Sequence, residues 1–104
     1  MNRFYLIGYY ENERIPGISE IETIINKHGF ILDFKMFSDI SLSMIIEIEE
    51  SNVDLLFSDL KKIMKMNDFV SLNTNSHEEC TILFNVTFSR GTGKLRIETP
   101  AVPG

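Results

Sequence analysis

Ile15-Pro16-Gly17-Ile18-Ser19-Glu20-Ile21-Glu22 joins a strongly apolar opening run to the clearest helical pattern in the chain. A Pro-Gly step after a polar segment, followed directly by isoleucines at helical spacing, reads as strand, loop, helix. Upstream, Arg3 to Tyr10 is aromatic and branched, as a buried or half-buried strand requires. Glu11-Asn12-Glu13-Arg14 then reads as a polar loop. Downstream, Ile18, Ile21, Ile24 and Ile25 share one helical face, and Ser19 and Glu22 have capping-box spacing. Lys27 and His28 suit the last turn, and Gly29 ends the helix, which the pattern starts at Pro16 or Ile18.

Beyond Gly29 the period changes to two. From Phe30 to Phe37, Phe30, Leu32, Phe34 and Met36 oppose Asp33 and Lys35. A turn at Ser38-Asp39-Ile40-Ser41 leads into a second alternating run. There Leu42, Met44, Ile46 and Ile48 oppose Ser43, Glu47 and Glu49. Ser51 or Asn52 caps a second helix carrying Val53, Leu56, Phe57, Leu60, Ile63 and Met64 on one stripe, closed by Asn67-Asp68. A short strand over Phe69 to Thr74 completes β-α-β-β-α-β. That order is the ferredoxin-like α+β pattern, a four-stranded antiparallel sheet with two helices on one face. The expected core holds Ile21, Ile25, Leu32, Phe34, Met44, Ile46, Leu56, Leu60 and Ile63. Thr81 to Ser89 and Lys94 to Thr99, joined by Arg90-Gly91-Thr92-Gly93, add a C-terminal β-hairpin. The expected organisation is one domain, with a core over 3–74 and the hairpin over 80–99.

The 104 residues are 43% hydrophobic and 24% charged, the composition of an ordinary globular domain, which argues against disorder. A net charge of -5 without a Lys/Arg cluster excludes a nucleic-acid face. No apolar run approaches the roughly 18–20 residues a membrane span needs. One cysteine and no secretory pattern at the opening suggest a reducing cytoplasm.

Chemistry-bearing groupings are sparse. Two histidines and one cysteine provide no metal-ligand spacing, and His28 reads as a helix-end residue. Cys80 reads as a buried strand cysteine rather than a nucleophile. Gly91-Thr92-Gly93-Lys94 precedes a strand, not a helix, so it reads as a turn and not a phosphate loop. Glu47 and Glu49 read as a solvated strand face. No catalytic residue, metal or cofactor is therefore expected. The Pro16-Gly17 segment alone agrees with the fold as a site, because unpaired N–H groups at a helix start favour an anion.

Ile15 to Ile21, followed by Ile24-Ile25-Asn26-Lys27-His28-Gly29-Phe30-Ile31-Leu32-Asp33, resembles an ACT domain over roughly residues 3–74. The resemblance implies a regulatory module that pairs side by side and binds an amino acid between the first loop and the neighbouring subunit. On this chain it implicates Asn12, Glu13, Arg14, Pro16 and Gly17. The expected function is thus a stand-alone, non-enzymatic module binding a small molecule at a dimer interface. The alternative is a structural or protein-interaction module without a small-molecule ligand. An apolar surplus on the second sheet face (Tyr5, Ile7, Ile31, Phe37, Ile45) points to a homo-oligomer, foremost a two-fold dimer. The hairpin residues Phe84, Val86, Phe88, Leu95 and Ile97 are its expected cover.

Overall fold

A computed structural model describes residues 2–90. The elements are β1 (Arg3–Glu13), α1 (Arg14–His28), β2 (Gly29–Ser38), β3 (Ser41–Glu49), α2 (Glu50–Lys61), β4 (Lys65–Met66) and β5 (Glu79–Arg90). The result is a mixed α+β fold with one five-stranded sheet in the order β2-β3-β5-β1-β4.

That order corrects the ferredoxin-like expectation. β5 lies between β3 and β1, antiparallel to the first and parallel to the second, so the sheet is not purely antiparallel. Its sequence is compatible with that place. Cys80, Ile82, Phe84, Val86 and Phe88 alternate with Thr81, Leu83, Asn85, Thr87 and Ser89, and no member of the first set is more than 1% exposed. A strand apolar along one whole side, with no proline to interrupt its ladders, can pair on both edges while burying that side under the helices. Both edges of β5 are paired, so Thr81 to Ser89 is not one arm of a simple hairpin. The expected return strand, Lys94 to Thr99 with Leu95 and Ile97, and the Gly91–Lys94 turn lie outside the described residues.

Both helices pack on one side of the sheet. Leu6 and Tyr10 of β1, Leu42, Met44, Ile46 and Ile48 of β3, and the inward residues of β5 meet Ile21 and Ile25 of α1 and Val53, Leu56 and Leu60 of α2. Ile21, Ile25, Met44, Ile46, Leu56 and Leu60 are buried as expected, and Ile63 is partly buried. Leu32 and Phe34 are not: they are 57% and 39% exposed. The β2–β3 register shifts between Ile31 and Asp33, so the extra residue Leu32 breaks the alternation. Ile31, opposite Ile46, turns to the core instead. Phe34 and Met36 follow on that side, but on an edge strand the helices cover little.

The expected strand Phe69 to Thr74 is absent. β4 is two residues long, and 67–78 forms an irregular connection. Asp54, read as a first-turn residue, anchors this segment from α2, accepting the backbone N–H of Leu72 and of Asn73, each at 2.9 Å. Asn73 has φ 50°, which takes the chain out of extended geometry there. Phe69 packs at 5.0 Å between ring centroids on Phe57 and edge-on to Phe4 at 6.2 Å. Its side chain thus finds burial without a ladder.

Candidate functional site

There is no loop between β1 and α1. The strand runs to Glu13 and the helix begins at Arg14, ahead of the expected start. Pro16 falls in the first turn, where a missing N–H costs nothing because no intrahelical acceptor awaits it. Ser19 and Glu22 are therefore interior and do not form a capping box. The Ser19 carbonyl accepts the Thr23 hydroxyl at 2.9 Å, and Glu20 accepts the Tyr10 hydroxyl. That bond, more than burial, pushes the Tyr10 phenol up to about 12.

The five residues singled out in the sequence are placed near one end of the sheet, and none of them lines the depression described below. Arg14 reaches Asp39 in the β2–β3 turn, N–O 3.3 Å, with both side chains largely buried. Asn12 Oδ1 accepts the Glu13 N–H at 2.8 Å and Arg90 Nη2 at 3.1 Å. Glu13 and Pro16 are exposed. Gly17 is buried under two rings: a Cβ there would lie 2.7 Å from Phe88 Cε1 and 2.8 Å from Tyr10 Cδ2. Its glycine is required by the close approach of α1 to Tyr10 and Phe88, which themselves pack edge-on at 5.9 Å. The Pro-Gly step is thus a packing device that lets the helix start hard against the sheet.

On the helix layer, a shallow open depression of about 240 Å³ is lined by Ser19, Glu20, Thr23, Ile24 and Ile63. Of its polar residues, Glu20 and Thr23 already hold internal partners in Tyr10 and the Ser19 carbonyl. His28 Nε2 sits 2.8 Å from Asp59 Oδ2, bridging the end of α1 to α2 rather than only facing its own helix end. His28, with some help from Lys62, holds the Asp59 carboxyl below its usual range. Cys80 is buried, donates to the Ile48 carbonyl at 3.4 Å, and burial pushes its thiol up to about 11. That is the opposite of nucleophile activation. Among the described residues no group of three or more His, Cys, Asp or Glu side chains is arranged to hold a metal ion, and no helix is long and apolar enough to cross a membrane.

The distinctive surface is the helix-free face of the sheet. The strand registers align four rows across β2, β3, β5 and β1 or β4: Asp33-Ile45-Leu83-Tyr5, Lys35-Ser43-Asn85-Ile7, Ser41-Thr87-Tyr9-Lys65, and Phe30-Glu47-Thr81-Arg3. Ile45, Leu83 and Tyr5 are contiguous in the first row, and Ile7 and Tyr9 continue the apolar band along β1. Tyr5 and Ile7 are 63% and 58% exposed. At one end Glu47, Glu49 and Glu79 meet, and the first two hold the Glu79 carboxyl above its ordinary range, Glu47 most strongly. His77 Nδ1 lies 3.0 Å from Glu49.

Tyr5, Ile7 and Ile45 stood out in the sequence as apolar residues on the wrong side of an alternation. Leu83 and Tyr9 carry no such signal within their own strands, and the bulge at Leu32 turns Phe30 outward against its expected inward place. The pairing of β5 with β1, which no local pattern encodes, is what assembles the band. No protein-family model matches this chain, and neither does any curated protein or solved structure.

Proposed function

We propose that this protein is a non-enzymatic protein-interaction module whose working surface is the helix-free sheet face. The observation carrying this reading is the contiguous band of Tyr5, Ile7, Tyr9, Ile45 and Leu83, exposed or half-buried among the described residues. Apolar patches of this kind on soluble domains mark contact surfaces. Rigid aromatic side chains are the usual anchors of such contacts. The acidic group Glu47, Glu49 and Glu79 at one end defines the partner's chemistry: a protein with an apolar patch bordered by Lys or Arg. Such a partner would relieve the repulsion that keeps Glu79 protonated to higher pH. The small-molecule reading has less to stand on, because Asn12, Arg14 and Gly17 are occupied by Arg90, Asp39 and two aromatic rings.

A photo-crosslinking amino acid at Tyr5 or Tyr9, with exposed Leu55 on α2 as the control, tests this in the source cells. The same protein should be captured from both β1 positions and not from Leu55. Its purified form should then lose affinity for Ile7→Glu by roughly tenfold or more. A thermal-shift screen covers the competing effector reading: an amino acid that stabilises the chain by about 2.7 kcal/mol at 100 times its dissociation constant would favour it.

A further inference from the structure

The two edges of the sheet are treated very differently. On one side β1 is blunted by β4 and by Asn67, which accepts the Ile7 N–H at 2.8 Å and donates its own N–H to the Ile7 carbonyl at 3.0 Å. On the other side β2 presents ten residues whose only strand partner among the described residues is β3. It carries Phe30, Leu32, Phe34 and Phe37, all exposed. Exposed apolar edges of this length are templates for another strand. Two charges interrupt it, Asp33 and Lys35, both exposed on the helix-free face in consecutive rows opposite Ile45 and Ser43. Neither forms an ion pair among the described residues; the Lys35 ammonium lies 5.9 Å from the Phe37 ring centroid.

We infer that two copies of this chain join edge to edge through β2, antiparallel about a two-fold axis at Phe34, so that Asp33 of each faces the partner's Lys35. The charges select this register. An axis at Lys35 sets two lysines opposite each other, and an axis at Asp33 sets two aspartates opposite each other. Only the axis at Phe34 makes two opposite-charge cross-strand pairs at once. The same axis brings the two Phe34 side chains together on the helix side, where one copy leaves each of them 39% exposed. The assembly is isologous and closes as a dimer. Its sheet is continuous, with all four helices on one side and the two helix-free faces merged on the other. This inference stands on the β2 edge and holds whatever occupies that face. A single strand pair buries less than a standard interface, so the association is expected to be weak and concentration-dependent.

Sedimentation of the full-length chain across the micromolar range tests it, using the charge-reversal variants Asp33→Lys and Lys35→Asp and their combination. Both sites are exposed, so folding is preserved, which circular dichroism checks. The expected result is a concentration-dependent dimer. Each single reversal should weaken it roughly ten- to a hundredfold, and the double reversal should restore it to near the original affinity. A monomer at every concentration would overturn the inference. So would a dimer indifferent to the single reversals, or one weakened by them and not rescued by the double.

Discussion

β1 and β5 lie side by side and parallel, yet their two faces are composed by different rules. On the helix side both are apolar: Leu6 and Tyr10 on β1, and Cys80 to Phe88 on β5. On the other side β5 is mostly polar, with Thr81, Asn85, Thr87 and Ser89 around Leu83, as a solvated face should be. β1 is not, since it sets Tyr5, Ile7 and Tyr9 there. The fold's own core therefore explains every inward residue of both strands and the outward residues of β5, but leaves the outward residues of β1 without a use inside the described chain. A helix-free face whose apolar band follows β1, with Ile45 and Leu83 beside it, fits the proposed contact surface better than a second core.

The strongest way to break this contrast is to truncate one residue on each face and compare. Phe84→Ala removes a fully buried ring and should cost about 3–5 kcal/mol in a urea melt. Tyr5→Ala should change stability by no more than about 0.5 kcal/mol while weakening partner binding. A large loss at Tyr5 would show that this face is already buried against something within the folded chain.

Gly17 sharpens the account of the covered side. Helix propensity alone argues that Gly17→Ala should gain up to about 1 kcal/mol. The rings of Tyr10 and Phe88 leave a Cβ no room, so the variant should instead lose about 1–3 kcal/mol. A stabilised variant would mean that α1 does not sit so close to the sheet.

These two sites also show what was legible in the sequence. The helix over Ile21 and Ile25, the alternation of β3 and the inward set of β5 were all readable, because each is a local period enforced by one buried face. The place of β5 was not. Whether an apolar strand pairs with its sequence neighbour or inserts between two distant strands depends on long-range register, to which a local alternation is blind. The bulge at Leu32 is equally silent in the sequence, and it moved Ile31 inward and Leu32 outward. Pro16-Gly17 marked a real junction, but a glycine needed for close packing and a glycine needed for a binding loop look the same in one sequence.

A smaller effect is expected at Asp54. Asp54→Ala leaves the Leu72 and Asn73 N–H groups to water and should cost about 1–2 kcal/mol. The segment 67–78 should then be cut faster by protease than in the parent chain. Unchanged cleavage would show that Phe69 and Leu72, rather than Asp54, hold it to the helix layer.

The smallest effects separate the two sides by the sign of their pH dependence. Asp59, on the helix layer, has a lowered carboxyl because of His28. Its contribution is present above the unfolded carboxylate pKa and lost as pH falls through the lower folded value. Asp59→Asn should therefore flatten the acid limb of the stability curve. Glu79, at the acidic end of the open face, is raised by Glu47. Its contribution is present below the unfolded value and lost as pH rises through the folded one. Glu79→Gln should therefore raise stability at neutral pH relative to acid. Paired urea melts at acid and neutral pH check both, and equal signs at the two sites would contradict the assignment.

Hydroxyl-radical footprinting of the chain, purified and dilute in one sample and inside its own cells in the other, tests the central claim most directly. The account predicts that Tyr5, Ile7 and Tyr9 are oxidised readily in the dilute protein and protected in cells, while Phe84 and Phe88 are protected in both. Equal oxidation of the β1 residues in the two settings, or their protection already in the dilute monomer, would contradict the reading of the helix-free face as a partner surface.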